Sequence, residues 1–236
     1  MTPVSSQVKL ELLKMRKIVS VLLFAVLFAS CSTVRQVQSG DLLFVGLPMD
    51  YAVEKDTTMS GAIVSATGAR DAVNYIHVAI LEVDYADKVW IVDATLKHGV
   101  DRHPVDTFLS DFRLSNGSLP QLDVKRLKNN KRAFEFVENA KQYCGQPYDL
   151  YFLKDNDAKY CSELVYDAYV TSKGKHIFKS KPMNFKGPDG SFPPYWVRLF
   201  ERIGQNIPQG QPGTNPNDMS KSKALRKGFP LEIGAK

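Results

Sequence analysis

The chain has 236 residues, of which 44% are apolar and 24% charged, and its formal net charge is +6. This composition excludes a wholly disordered chain, a collagen-like repeat and a coiled coil, and three cysteines are too few for a disulfide scaffold. The length suits one large domain or two small ones.

The first part of the chain has the layout of an export signal. A basic pair precedes an apolar run over residues 18–28, and two small residues stand directly before Cys31. The run is too short for a comfortable membrane span but suits a secretory signal, so we predict a signal peptide over residues 1–30. Met15 begins this signal better than Met1 does, and a wrongly assigned start over residues 1–14 is one interpretation.

The residues before Cys31 resemble the cleavage site of a bacterial lipoprotein, with Phe28 where the strict pattern has Leu. This resemblance implies that Cys31 becomes a lipidated N-terminus, that residues 31–39 form a tether, and that the protein is exported and anchored to a membrane of the bacterial cell envelope. An ordinary signal peptide with an accidental cysteine, or an uncleaved membrane anchor, are the alternatives.

The positive charge is concentrated in the predicted signal. Removing residues 1–30 takes away four basic side chains and one acidic side chain, which lowers the net charge to +3. That charge is too small to indicate a polyanionic partner, and the basic residues within 125–132 and 221–227 are interpreted as solvated. Nucleic acid is therefore excluded as a partner.

The elements that follow the tether are extended first and helical later. In chain order, we predict a buried strand over 42–45, a helix over 57–67, a hairpin of strands over 75–83 and 88–95, a strand over 99–105, a strand over 121–127, helices over 130–143, 161–172 and 195–203, and a proline-rich loop over 207–217. This pattern predicts a single α+β domain over residues 40–236, with an antiparallel sheet packed against helices.

Cys161 stands where a loop of small polar residues ends and an amphipathic helix begins. A thiol at this position lies beside unpaired backbone N–H groups and the positive end of the helix dipole, which both favour the thiolate. The same N–H groups are able to stabilise an oxyanion. The position suits a nucleophile, and a small buried core residue is the alternative.

Two ionisable residues, His77 and Asp93, interrupt the apolar strands of the predicted hairpin. Each is costly to bury unless it has a partner or a task. A hairpin centred on Tyr85 places them opposite each other, so we predict a Cys–His–Asp set; a satisfied core histidine is the alternative. The other histidines, His98, His103 and His176, lie in polar, turn-like segments without the spacing of a metal site.

Four pieces of sequence resemble the NlpC-type papain-like superfamily: Gly40-Asp41-Leu42-Leu43-Phe44, His77-Val78-Ala79-Ile80, Gly145-Gln146-Pro147-Tyr148 and Cys161-Ser162. The Gly-Asp and His pieces precede the cysteine here, an order similar to that of the circularly permuted branch, the YaeF/YiiX-type papain-like amidases. The resemblance runs from about residue 39 to residue 225 and implies a circularly permuted papain-like fold.

The resemblance also implies roles for particular residues. Cys161 would attack an amide or ester carbonyl, His77 would accept and return the proton, and Asp93, where Glu is commoner, would orient His77. Tyr148 matches a tyrosine near the oxyanion and, with Ser162, is assigned to oxyanion or substrate support; a core aromatic is the alternative for Tyr148. No cofactor and no metal are implied.

Three functions are compatible with this sequence. The first is a lipid-anchored thiol hydrolase that cleaves an amide bond in a cell-wall or related peptide. The second is hydrolysis or transfer of a lipid acyl ester, and the third is a surface lipoprotein that binds without cutting. A lipid-accepting groove or ordinary packing would explain the aromatic residues Phe185, Phe192, Tyr195 and Trp196.

Cys144 is expected to be a buried helix-end residue, with a disulfide to Cys161 as the alternative. The oligomeric state stays open.

Overall fold

One antiparallel sheet of six strands, in the order β4-β3-β2-β1-β5-β8, is the centre of the structure. The strands are β1 Leu42–Leu47, β2 Asn74–Val83, β3 Val89–Thr95, β4 Gly99–Pro104, β5 Gln121–Lys125 and β8 Phe229–Pro230. Two short strands, β6 Lys181–Pro182 and β7 Pro212–Gly213, pair with each other. The helices are α1 Met59–Thr67, α2 Val105–Asp111, α3 Ala133–Lys141, α4 Cys161–Ala168, α5 Pro194–Arg202 and α6 Pro216–Ser220.

The computed structural model describes residues 37–47, 57–68 and 73–231. The predicted signal peptide, Cys31 and residues 31–36 of the predicted tether lie outside this part of the chain. Among the described residues, no helix combines the length and the apolar character that spanning a membrane requires. A single compact unit begins at Val37.

Strand β1 is buried on both faces of the sheet, which is why its sequence is continuously apolar instead of alternating. Leu42 and Phe44 face helices α3 and α4, where they join a core with Leu164 and Val165. Leu43 and its neighbours on the opposite face join a second core around Phe108 of α2. The sheet is therefore held between two layers of apolar side chains, and its strands have a fixed register.

The predicted hairpin of β2 and β3 is confirmed, but its register differs from the predicted one. Ile80 pairs with Val92 and Val83 pairs with Val89, so the hairpin is centred on Ala86 and not on Tyr85. His77 and Asp93 are therefore diagonal neighbours instead of direct partners. The shift is two residues, which preserves the alternation of side chains, and both residues still lie on the same face of the sheet.

Gly40 and Asp41 anchor the start of β1. Gly40 has a φ of +78°, and a Cβ atom there would lie 2.9 Å from the Cα atom of Ala133, so only glycine fits. Asp41 is 1% exposed, and its carboxylate accepts hydrogen bonds from Arg126 Nε at 2.6 Å, Arg126 Nη2 at 2.7 Å and the Gln38 N–H at 2.8 Å. The interpretation of the basic segment as solvated is therefore wrong for Arg126.

Three further findings differ from the sequence predictions. The proline-rich stretch predicted as loop contains β7 and the start of α6, whose first turn is capped by the side chain of Asn215. Helix α2 follows directly on β4 without a side-chain cap, and this short helix was not predicted. Cys144 is exposed instead of buried, and Cys144 and Cys161 are free thiols.

The Asp41–Arg126 ion pair is expected to contribute to the stability of the fold. Replacing Asp41→Asn is expected to lower the free energy of unfolding by about 3 kcal/mol, because it removes the negative charge from a buried, bidentate ion pair. Urea denaturation measures this loss. The matched control is Glu135→Gln, which removes the same charge from an exposed pair with Arg132 and is expected to leave the midpoint unchanged. Equal effects of both replacements would contradict a special role for Asp41.

Candidate active site

Cys161 is the first residue of helix α4, and its side chain faces a cavity. The preceding residue, Tyr160, is in an extended conformation and provides no side-chain cap for the first turn. The backbone N–H groups of that turn have no acceptors within the helix, so they are available to a negatively charged group beside Cys161. Cys161 is 5% exposed, which keeps the thiol in a largely dry environment.

His77 of β2 and Asp93 of β3 form a buried pair. Nε2 of His77 lies 2.7 Å from Oδ2 of Asp93, and the two residues are 6% and 0% exposed. The ring of His77 packs against that of Phe112, with 4.8 Å between the centroids. Because Nε2 is directed to the carboxylate, Nδ1 is the ring nitrogen left for a second partner.

The second group that acts on the His77 ring is Cys161. Burial by itself lowers the pKa of His77, but the negative charge of Cys161 and hydrogen bonds with Asp93 and Cys161 raise it to about 10. The imidazolium form therefore persists through neutral pH beside the sulfur. The structure brings together the three residues that the sequence predicted as a catalytic set.

Tyr148 lines the same cavity as Cys161. Backbone hydrogen bonds from Lys159 to Pro147 and from Asp149 to Lys159, both 3.1 Å, tie this segment to the loop that precedes the cysteine. Burial and the negative charge of Cys161 raise the pKa of Tyr148 well above its usual value, so the hydroxyl keeps its proton. A protonated hydroxyl here is able to donate a hydrogen bond to an oxyanion.

Ser162 is fully buried, and its hydroxyl accepts a hydrogen bond of 3.0 Å from the hydroxyl of Thr214. The backbone N–H of Thr214 donates to the hydroxyl of Tyr160 at 3.1 Å. The C-terminal segment is thereby fastened to the residues on both sides of Cys161. The side chain of Ser162 has this anchoring contact, and its support of an oxyanion stays a prediction.

Glu163 stabilises the start of α4 through its contact with Lys159. Glu163 lies in the first turn of this helix, and the backbone N–H of Tyr160 favours its ionised form. Glu163 is 4% exposed, and its pKa is raised to about 7, mainly by burial, although Lys159 lies 3.6 Å away and opposes the rise. Lys159 also contacts Asp167 at 3.0 Å, so this network holds the loop that delivers Cys161.

The cavity beside Cys161 has mainly apolar and aromatic walls. Phe185 and Trp196, two of the four aromatic residues singled out in the sequence, line it, whereas Phe192 and Tyr195 pack behind it. Sequence reasoning missed other wall residues, namely Ile63, Ile76, Phe152, Tyr160 and Met183. Phe152 has a φ of +53°, a strained value for an aromatic residue, and its ring lies edge-on to Trp196.

Residues 36–227 match a family described as permuted papain-like amidase enzymes, YaeF/YiiX, C92 family. The chain belongs to this family. The match confirms the family predicted from the four sequence pieces, in which His77 and Asp93 precede Cys161 along the chain.

Two relatives from Escherichia coli extend this match. The uncharacterized protein YiiX of strain K12 is 28% identical over 124 residues, which cover 50% of this chain and 60% of the relative. The crystal structure titled metalloprotein YiiX, from strain O157:H7, superposes with a TM-score of 0.62 at 24% identity, covering 84% of this chain and 99% of that one. The structural likeness confirms the predicted α+β permuted papain-like fold.

The described part of the chain does not contain a group of side chains suited to a metal ion. Within residues 37–47, 57–68 and 73–231, no three His, Cys, Asp or Glu side chains are grouped so that they would hold a metal ion. The expectation of polar, turn-like surroundings for His103 is wrong, since this residue lies on β4 and is 6% exposed. His176 stacks on Tyr166, and His98 bonds to Asp111 at 2.7 Å.

Proposed function

We propose that this chain is a cysteine hydrolase that cleaves an amide bond through Cys161, His77 and Asp93. The observation that supports this most directly is the buried His77 ring, which bonds to Asp93 at 2.7 Å and whose pKa is raised to about 10 by Cys161 and Asp93. A solvent-excluded imidazolium beside a thiol at a helix N-terminus is the arrangement that nucleophilic sulfur chemistry requires. Membership of an amidase family supports the choice of an amide.

The proposed reaction has two stages. The Cys161 thiolate attacks the carbonyl carbon, and the resulting oxyanion is stabilised by first-turn N–H groups and by the hydroxyl of Tyr148. The imidazolium of His77 then gives its proton to the leaving amine, and a thioester with Cys161 remains. His77 next takes a proton from water, which attacks the thioester, and the acid is released as the thiolate and imidazolium are restored.

The pH dependence of Cys161 alkylation by iodoacetamide tests this proposal. Because His77 stays protonated up to about pH 10, Cys161 is expected to react rapidly below pH 7, with loss of at least tenfold in rate in His77→Ala. Cys144, the exposed free thiol, is labelled in the same protein and serves as the internal control. Labelling is mapped by peptide mass.

The opposite result would favour a binding protein over an enzyme. Alkylation of Cys161 that rises only near an ordinary thiol pKa, and that is the same in His77→Ala, would overturn the hydrolase proposal. The chain would then be a surface protein that binds its ligand without cutting it.

The substrate we propose is a peptide amide of the cell wall or a related peptide. The cavity walls favour a second candidate, hydrolysis or transfer of an apolar acyl group, because aromatic side chains beside Cys161 would cover an alkyl chain. Each buried methylene contributes about 0.8 kcal/mol, so two extra methylenes would raise kcat/KM about tenfold if the chain enters this cavity.

Turnover of two substrate series separates these candidates. Cleavage of peptides containing D-amino acids, without a dependence on acyl length among p-nitrophenyl esters, is expected for the peptide amidase. An increase of kcat/KM with acyl length that is lost in Phe185→Ala would show the acyl candidate to be correct instead. Phe192→Ala is the matched control, since Phe192 packs behind the cavity and does not line it.

We propose further that the protein is anchored to a cell-envelope membrane by lipid on Cys31, which is supported by the signal-like residues 15–31. Fractionation of cells that produce the full chain tests this. The protein is expected in the membrane fraction with a lipid-modified Cys31 peptide, and Cys31→Ser is expected to release it from that fraction. An unmodified Cys31 peptide in wild-type protein would exclude the anchor.

A further inference from the structure

One carboxylate oxygen of Asp93 has a hydrogen-bond partner among the described residues, and the other does not. Oδ2 lies 2.7 Å from His77, whereas Oδ1 has no hydrogen-bond partner among the described residues, although Asp93 is fully buried. A buried carboxylate oxygen without a donor is costly, and a carboxylate held on one side only is free to turn about its last torsion. The structure therefore raises the question of what holds the second oxygen.

His103 on the neighbouring strand faces that oxygen. His103 pairs with Ile91 of β3, two residues before Asp93, so its side chain is on the same face of the sheet. Nε2 of His103 lies 3.8 Å from Oδ1 of Asp93, which is longer than a hydrogen bond but within the range of an ion pair. Nδ1 of His103 also has no hydrogen-bond partner among the described residues.

The ring of His103 is held in place by its surroundings. It stacks on Phe108 of α2 with 17° between the planes, and Phe108 also contacts His77. The ionisable groups that face His103 are Asp93 from β3, Asp101 from β4 at 3.7 Å, and His98, whose ring centroid is 5.5 Å away. Two of these three groups are carboxylates, and only Asp93 is in contact with the catalytic histidine.

We propose that His103 is a positioning residue that acts through Asp93: its Nε2, 3.8 Å from Oδ1, attracts that oxygen and closes to a hydrogen bond with a small shift of either side chain, which keeps Oδ2 directed at His77. The inference rests on the proposed function, because it concerns the orientation of the same imidazole. His103 would then hold the carboxylate of Asp93, and that carboxylate would orient the ring of His77. His103 itself does not touch the substrate or the sulfur.

The experiment measures the rate of Cys161 alkylation against pH, which requires no known substrate. His103→Phe keeps an aromatic ring on Phe108 but has no donor, and it is expected to slow alkylation at pH 6–7 about tenfold. His103→Gln keeps an N–H donor and is expected to stay within about threefold of wild type. His98→Gln is the matched control, since His98 bonds to Asp111 and not to Asp93, and is expected to leave the rate unchanged.

A double-mutant cycle tests whether His103 acts through Asp93. In the Asp93→Asn background, His103→Phe is expected to cause no further loss, because the carboxylate on which it acts is gone. An undiminished effect in that background, or a wild-type rate in His103→Phe, would overturn the inference. If His103→Phe does not fold, as shown by circular dichroism, His103→Leu takes its place in the cycle under the same two criteria.

The failure of this inference is distinguishable from that of the proposed function. If wild-type Cys161 reacts like an ordinary thiol and His77→Ala does not change it, the hydrolase proposal fails and the inference fails with it. If wild-type Cys161 is activated and loses this in His77→Ala, but His103→Phe matches wild type, only the role of His103 is refuted.

Discussion

The buried contact between His77 and Asp93 is the constraint on which the site depends. Placing two ionisable groups inside an apolar sheet costs several kcal/mol for each ion, and this cost is offset only when each group has a well-placed partner. The 2.7 Å bond supplies one partner for each, and the sulfur of Cys161 supplies the second for His77. A looser sheet would admit water and weaken the interaction between the charges. The packing of β1 and β2 on both faces therefore stabilises the pair and would also support the proposed chemistry.

Cys161, the proposed nucleophile, lies on a separate part of the chain. Helix α4 packs on β2 through apolar residues such as Leu164 and Val165, which recur at the spacing of an amphipathic helix. Thr214 holds its N-terminus through hydrogen bonds to Tyr160 and Ser162, and Glu163 in its first turn contacts Lys159. The strands that carry Asp93 and His77 precede this helix along the chain, so the three side chains come together only in the folded domain.

Sequence patterns predicted most of this arrangement, and the exceptions have physical reasons. The apolar strands made His77 and Asp93 conspicuous, and a register error of two residues did no harm because side chains alternate with a period of two. His103 was missed because β4 also contains Asp101 and Arg102, so a buried histidine there looks like part of a turn. The cavity walls were predicted only in part, since residues such as Phe152 and Met183 lie in segments without periodicity.

Regular and irregular segments of the fold contribute different parts of the site. The acid, the imidazole and the helix start lie on regular elements, whereas much of the cavity wall comes from irregular segments that carry Phe152, Met183 and Phe185. Segments of this kind tolerate replacement better than a sheet packed on both faces does. The pKa of His77 is raised by Cys161 and Asp93, which lie on α4 and β3, whereas Phe152, Met183 and Phe185 belong to the cavity wall. If the proposed function is correct, replacing a wall residue would alter the choice of substrate more than the reactivity of Cys161.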